Sequence, residues 1–272
     1  MDSAETRSAR GCIFCGGKPL SKEHVIAQWI GGVLHSMEWS DHTPAPPEAE
    51  WGTRYRFGDG AATRERRHRA PGNRPTVEVN CVCIPCNTGW MSALEGQASP
   101  FLEPMIRGTH IRMDDAAQLL IATWAVKTVF VLEFMRRELI VATAHDRYVL
   151  MTEHRPPTTF RVRLAAVADP AVQPLRLQTY VATTHPPDGP SDILCSTVLI
   201  GHLAVQVWGG HGAGTVDLKA SGTVIGDAVM IWPPVAIGAP WPPSRPITEE
   251  QMEEFMRQPI PRSVNEGLLD GW

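Results

Sequence analysis

Two cysteine pairs carry the most specific chemical signal in this sequence. Cys12 and Cys15 are separated by two residues, and so are Cys83 and Cys86. Two residues between thiolates let both sulfurs reach one ion from a tight turn, and four thiolates complete a tetrahedral zinc site. A glycine after the first pair, Gly16, suits the left-handed turn of a zinc knuckle. The spacing therefore predicts a structural Zn²⁺ ion held by all four cysteines.

The cysteines also bear on the cellular compartment. The first ten residues contain no apolar stretch of the kind that a secretion signal needs, so we expect no secretion. In a cytoplasmic protein, cysteines serve as thiols or metal ligands rather than disulfides. We therefore expect a cytoplasmic protein in which Cys81 and Cys195 are small buried residues. The alternative for the four paired cysteines is a set of unrelated buried thiols.

Two short motifs accompany the cysteine pairs. Residues 23–29 read E-H-V-x-x-x-W after the first pair, and residues 87–91 read N-x-G-W-M directly after the second. This order of motifs, over residues 11–100, resembles the HNH endonucleases, which are also called His-Me finger or ββα-metal nucleases. The resemblance implies a zinc-stabilised ββα-metal domain that hydrolyses DNA with the help of a divalent ion.

The resemblance assigns a role to each matching residue. His24 is expected to be the general base that takes a proton from water, and neutral imidazole suits that task near pH 7. Glu23 and Asn87 are expected to hold one catalytic ion, Mg²⁺ or Mn²⁺, whose remaining ligands are waters and a phosphate. Neighbouring strand residues point to opposite faces, so Glu23 and His24 can converge only where the strand bends or ends.

One position departs from the family pattern. The family's middle asparagine, which supports the base histidine, lies about nine residues before the last motif position. Glu78 occupies that place here, whereas Asn80 lies seven residues before Asn87. Three alternatives stay open: Asn80 supports His24 with a shifted register, a backbone carbonyl does so, or the site is degraded.

An arginine-rich stretch lies between the two motifs. Residues 51–75 contain seven arginines and two acidic residues, a local net charge of +5 in a chain whose net charge is −4. Such a stretch attracts a polyanion while the rest of the chain discourages indiscriminate binding. The candidate nucleic-acid contacts are Arg64, Arg66, Arg67 and Arg69. The alternative is a solvated, arginine-rich loop.

Composition and patterning place these motifs in an α+β protein. A chain of 272 residues with 43% hydrophobic and 20% charged residues is typical of a globular protein with a substantial core. The apolar stretch 119–134 is interrupted by Lys127 and Glu133 and is too short to span a bilayer, so we expect a long buried helix and no membrane partner.

The sequence predicts two domains. Residues 1–110 form the HNH-like domain, with the Arg- and Pro-rich insertion at about 40–76. Residues 111–272 form an α+β domain whose sheet is mainly antiparallel, because stretches of period-two alternation follow one another without helical crossovers. A capping box of Thr248 and Gln251 predicts a last helix that ends near Gln258. The task of this second domain stays open.

The sequence therefore favours a metal-dependent HNH endonuclease acting on DNA. One alternative is a catalytically silent zinc-binding module that holds nucleic acid or a protein through the arginine-rich insertion. Another keeps the fold but acts on RNA or on a small phosphorylated molecule, because a fold alone does not fix a function. Cleavage specificity and oligomeric state stay open.

Overall fold

The computed structural model describes residues 11–37, 48–56, 64–71, 78–135, 140–170, 175–184, 191–211, 227–234 and 238–257. The strands are β1 (Leu20–His24), β2 (Glu48–Arg56), β3 (Arg64–Pro71), β4 (Glu78–Cys83), β5 (Ile111–Met113), β6 (Phe160–Ala166), β7 (Leu175–Thr184), β8 (Ser191–Ile200), β9 (Leu203–His211), β10 (Val229–Trp232) and β11 (Ala239–Trp241). The helices are α1 (Gln28–Ser36), α2 (Ile84–Cys86), α3 (Ser92–Ile106), α4 (Asp115–Glu133), α5 (Ala144–Glu153) and α6 (Glu249–Arg257). A π-helical turn, Asn87–Met91, joins α2 to α3.

A seven-stranded sheet forms the centre of the fold, in the order β10-β6-β9-β8-β7-β2-β3. Its neighbouring strands are antiparallel except β2 and β7, which are parallel. The prediction of an α+β fold with a mainly antiparallel sheet is confirmed. The hairpin β2–β3 comes from the predicted insertion, so the division predicted at residue 110 cuts through a shared sheet.

Helix α4 packs against one face of this sheet and against α3 on its other side. Asp114 caps its first turn, because its carboxylate accepts a hydrogen bond from the Ala117 N–H at 2.8 Å. Most of its side chains are buried, so the prediction of a long buried helix is confirmed. Among the described residues, α4 alone is long and apolar enough to cross a membrane, yet 72% of that segment is buried inside the protein. This burial favours the core helix of a soluble protein.

Helix α6 covers the opposite face of the sheet. Thr248 donates its N–H to the Gln251 side chain at the start of the helix, as the predicted capping box requires. Two buried polar side chains of the sheet, Arg163 and Gln206, donate to the Phe255 carbonyl near the helix end. Strands β6, β8 and β9 are therefore covered on both faces.

The connection between α4 and α5 ties the N-terminal segment to the core. The buried Arg147 guanidinium donates to the carbonyl oxygens of Ile13 at 3.0 Å and Ala142 at 2.6 Å. The Glu133 carboxylate accepts from the N–H groups of Val141 and Ala142. Burial raises the pKa of Glu133 to about 7, although these two N–H groups and Arg147 oppose the rise.

Replacing Glu133 with glutamine tests this buried carboxyl. Because its folded-state pKa is raised above 4.5, the group stabilises the fold below about pH 4.5 and loses that contribution as the pH rises to about 7. The unfolding free energy of the wild type minus that of Glu133→Gln should therefore decrease by roughly 3 kcal/mol as the pH rises from about 4.5 to about 7. Urea unfolding at several pH values measures the difference, and parallel pH profiles for both proteins would contradict it.

Candidate metal centre and histidine site

The sulfur atoms of the two cysteine pairs meet in one cluster. All four Sγ atoms lie within 4.8 Å of one another. Cys15 Sγ lies 3.5 Å from the Sγ atoms of both Cys83 and Cys86, and all four cysteines are free thiols. A tetrahedral zinc ion with bonds of about 2.3 Å would hold its sulfurs about 3.8 Å apart. The four cysteines could therefore hold a metal such as zinc.

Local backbone structure explains how each pair turns toward the cluster. In the first pair, Cys12 exchanges backbone hydrogen bonds with Gly16 and Gly17, and Gly16 has the positive φ of 73° that its turn requires. In the second pair, Cys83 ends β4 and Cys86 ends the short helix α2. Burial raises the pKa of the Cys86 thiol, as expected for a sulfur that is not exposed to water.

Strands β1 and β4 form the antiparallel hairpin beside the cluster. Leu20 at the start of β1 lies opposite Cys83, and His24 at its end lies opposite Glu78. The pairing is irregular between Ser21 and Lys22, where a β-bulge shifts the register. Chain order therefore places two short antiparallel strands before a helical segment, and the four sulfurs lie at one end of the strands.

His24 is half-buried and faces a carboxylate. Its Nε2 atom lies 3.5 Å from Glu78 Oε1, and the Gln28 side-chain amide also contacts Nε2. Its Nδ1 atom is buried and finds no hydrogen-bond partner among the described residues. Glu78 also forms an ion pair with the exposed Lys22 at 3.0 Å. The imidazole is thus held at the protein surface by a carboxylate and an amide.

The residue that contacts His24 is Glu78 rather than Asn80. Asn80 lies opposite Lys22 and is exposed. Glu78 holds the position that the family pattern gives to its middle asparagine, nine residues before Asn87. This spacing of nine residues is the sequence feature that could have pointed to Glu78 as the neighbour of His24. The supporting role of Asn80 stays a prediction.

Glu23 points away from His24 into the protein interior. It is buried, and its Oε1 lies 3.5 Å from the Nζ atom of Lys127 on α4. The same Nζ donates to Glu95 Oε1 on α3 at 2.6 Å. Burial raises the pKa of Glu23, Lys127 opposes the rise, and Glu95 adds to it. The sequence contained no signal for Lys127 or Glu95 at this place.

Asn87 is the first residue of the π-helical turn and contacts strand β1. Its side-chain amide donates to Ser21 Oγ and to the Lys22 carbonyl, both at 3.1 Å. Because Asn87 directly follows Cys86, the cysteine cluster and these two hydrogen bonds fix its position. The structure thus brings Asn87 to β1, and its role as a metal ligand stays a prediction.

These side chains do not fit a divalent ion held by Glu23 and Asn87. The Glu23 carboxylate faces the Lys127 ammonium, which is a cation already. The Asn87 amide nitrogen is directed at β1. The Mg²⁺ or Mn²⁺ site that the resemblance implies therefore has no support in this arrangement, and no reaction step is derived through it.

The arginine-rich stretch lies at the edge of the large sheet. Strand β3 pairs only with β2 within the described sheet and contains the four candidate contacts Arg64, Arg66, Arg67 and Arg69. Their side chains lie outside what the structure describes, so their contact with nucleic acid stays a prediction. The backbone places them in an edge strand, where sequence reasoning left a loop as the alternative.

The chain was compared with known families, proteins and structures. No protein-family model, curated protein or solved structure matches this chain. The resemblance to HNH endonucleases rests on the motifs of residues 11–100 and stays a prediction.

Replacing one ligand of the cluster tests the metal centre. The purified wild type should carry about one zinc ion per chain, and Cys83→Ser should lose it, because three thiolates and a hydroxyl bind zinc far more weakly than four thiolates. Mass spectrometry of the metal content and protease sensitivity of residues 11–37 measure the loss. Cys195→Ser is the matched control, since Cys195 is buried under α6 with its Sγ facing the Met256 carbonyl. Equal zinc content in both variants would contradict the cluster.

Proposed function

We propose that this protein is a zinc-stabilised phosphodiester hydrolase of the HNH type that acts on DNA, with His24 as its general base. The observation that carries the proposal is the position of His24. It ends β1 opposite Glu78 of β4, the four-cysteine cluster lies at the other end of this hairpin, and Asn87 at the start of the following helical segment contacts the same strand. This is the order of parts that the HNH resemblance implies.

The surroundings of His24 suit a proton acceptor. A neutral imidazole can take a proton from water near pH 7. Nε2 is the proposed acceptor because Nδ1 is buried, and Glu78 Oε1 lies 3.5 Å from Nε2. The Gln28 amide that contacts Nε2 must give way to the attacking water. In the proposed reaction the water oxygen bonds to phosphorus, His24 keeps the water proton, and the bond to the 3′ oxygen breaks. The departing oxygen takes a proton from solvent, and the product carries a 5′-phosphate.

Zinc has a structural part in this proposal. Cys12, Cys15, Cys83 and Cys86 would hold it, and it would fix the start of β1 to the end of β4 and to the start of the helical segment. Bound zinc supplies rigidity rather than reaction chemistry, because four thiolates leave no open coordination position. Free thiols and a zinc–thiolate site both suit the cytoplasm, which is the proposed location.

The proposed substrate is DNA because of the charge on the hairpin β2–β3. Arginine side chains neutralise phosphates and contribute a binding energy that depends on salt. RNA carries the same phosphates, so it is the alternative substrate that the cleavage assay must include.

A second candidate function is a catalytically silent zinc module that binds nucleic acid or a protein. One observation favours it. Glu23, the acidic residue that the resemblance makes a metal ligand, forms a buried ion pair with Lys127 and faces away from His24. An HNH site that has lost its ion would retain the cluster and the hairpin but would not cut.

Cleavage of supercoiled plasmid separates the two candidates. The wild type should nick the plasmid with Mg²⁺, with Mn²⁺ or without an added ion, and His24→Ala should lower the rate about 100- to 10,000-fold, the usual contribution of a general base. His35→Ala is the matched control because His35 lies exposed on α1. A wild type that binds DNA and RNA but cuts neither under any of these conditions would establish the silent module.

Neutralising Arg66, Arg67 and Arg69 to glutamine tests the proposed contact with DNA. The logarithm of the binding constant should fall less steeply with the logarithm of salt concentration, by up to about three units of slope if each arginine meets one phosphate. Fluorescence anisotropy at several salt concentrations measures the slope. A variant that neutralises Arg112, Arg155 and Arg245 removes the same charge elsewhere and should keep the wild-type slope. Equal slopes for all three proteins would contradict the contact.

A further inference from the structure

We infer that the ammonium group of Lys127 fills a cation position formed by Glu23 and Glu95. The three side chains come from three elements, since Glu23 lies on β1, Glu95 on α3 and Lys127 on α4. The resemblance gives a divalent ion to Glu23, whereas here the Glu23 carboxylate faces the Lys127 ammonium in the interior. This inference does not rest on the proposed cleavage reaction.

The geometry shows one cation between two carboxylates. Lys127 Nζ lies 2.6 Å from Glu95 Oε1 and 3.5 Å from Glu23 Oε1. The Lys127 side chain is 1% exposed, and those of Glu23 and Glu95 are 7% and 22% exposed. An ammonium this deeply buried is stable only when carboxylates compensate its charge. Both carboxylates are therefore committed to Lys127.

The same geometry keeps a divalent ion out of this position. An ion bonded to Glu23 would lie within a few ångströms of Nζ, where little water separates the two charges. The Lys127 side chain is buried on α4, which packs against both α3 and the sheet. The carboxylate pair becomes available only when the ammonium is removed.

A purely structural ion pair makes a different prediction. In that case, removing Lys127 would leave two buried carboxylates that destabilise the protein or take up protons, and no ion would replace the ammonium. If Lys127 instead fills a cation position, its removal should create affinity for a divalent oxygen-seeking ion. The two cases therefore differ in ion binding rather than in stability alone.

Mn²⁺ binding to the zinc-loaded full chain tests the inference. Electron paramagnetic resonance measures free Mn²⁺ for the wild type, Lys127→Met and Lys127→Met combined with Glu23→Gln. We expect Lys127→Met to bind one Mn²⁺ at least tenfold more tightly than the wild type, and the added Glu23→Gln to remove that gain. Equal Mn²⁺ binding by the wild type and Lys127→Met would overturn the inference.

Two further measurements keep the test decisive if Lys127→Met folds poorly. Its melting temperature should rise with added Mn²⁺ while that of the wild type stays unchanged, and an absent rise would contradict the inference. The second measurement needs no lysine variant. Glu23→Gln in the wild-type background should leave Mn²⁺ binding unchanged, whereas a wild-type site that weakens tenfold or more in this variant would show that Glu23 already holds an ion.

Discussion

The meeting of four cysteine sulfurs is the interaction on which the rest of the site depends. Two of them precede β1, one ends β4 and one ends α2, so their contact closes the long chain segment between the pairs and sets the β1–β4 hairpin beside the helical segment. Two short strands would be marginal by themselves. Bound metal would supply the missing stability, because the ion binds the folded arrangement and not the open chain. Arg147 then attaches this unit to the core by donating to the Ile13 carbonyl within the first cysteine turn.

Strand β1 borders both the surface and the interior, because successive side chains of a strand point to opposite faces. His24 lies at the surface with Glu78, whereas Glu23 lies in the interior with Lys127. The ion pair links β1 to α4, the helix that packs on one face of the large sheet. Strand β1 therefore carries both a surface histidine and an attachment to the core.

Local patterns predicted the parts of the structure that depend on local physics. The two C-x-x-C spacings predicted the cluster, the apolar stretch around Trp124 predicted the buried helix, and Thr248 with Gln251 predicted the start of α6. Contacts between distant residues could not be read in this way. The pairing of β2 with β7 joins strands that are far apart in sequence, and the bulge at Ser21–Lys22 shifts the register by one residue so that Glu78 rather than Val79 lies opposite His24. Lys127 interrupts the apolar stretch of α4, but its pairing with Glu23 depends on how α4 packs against β1, which no local pattern encodes.

X-ray absorption at the zinc edge of the purified full chain tests the central claim most directly. The account predicts a single shell of four sulfurs at about 2.3 Å around each zinc ion, with no nitrogen or oxygen neighbour in the first shell. The cluster of Cys12, Cys15, Cys83 and Cys86 supplies such a shell from a single chain. A mixed shell of sulfur with nitrogen or oxygen, or a protein without zinc, would contradict the account.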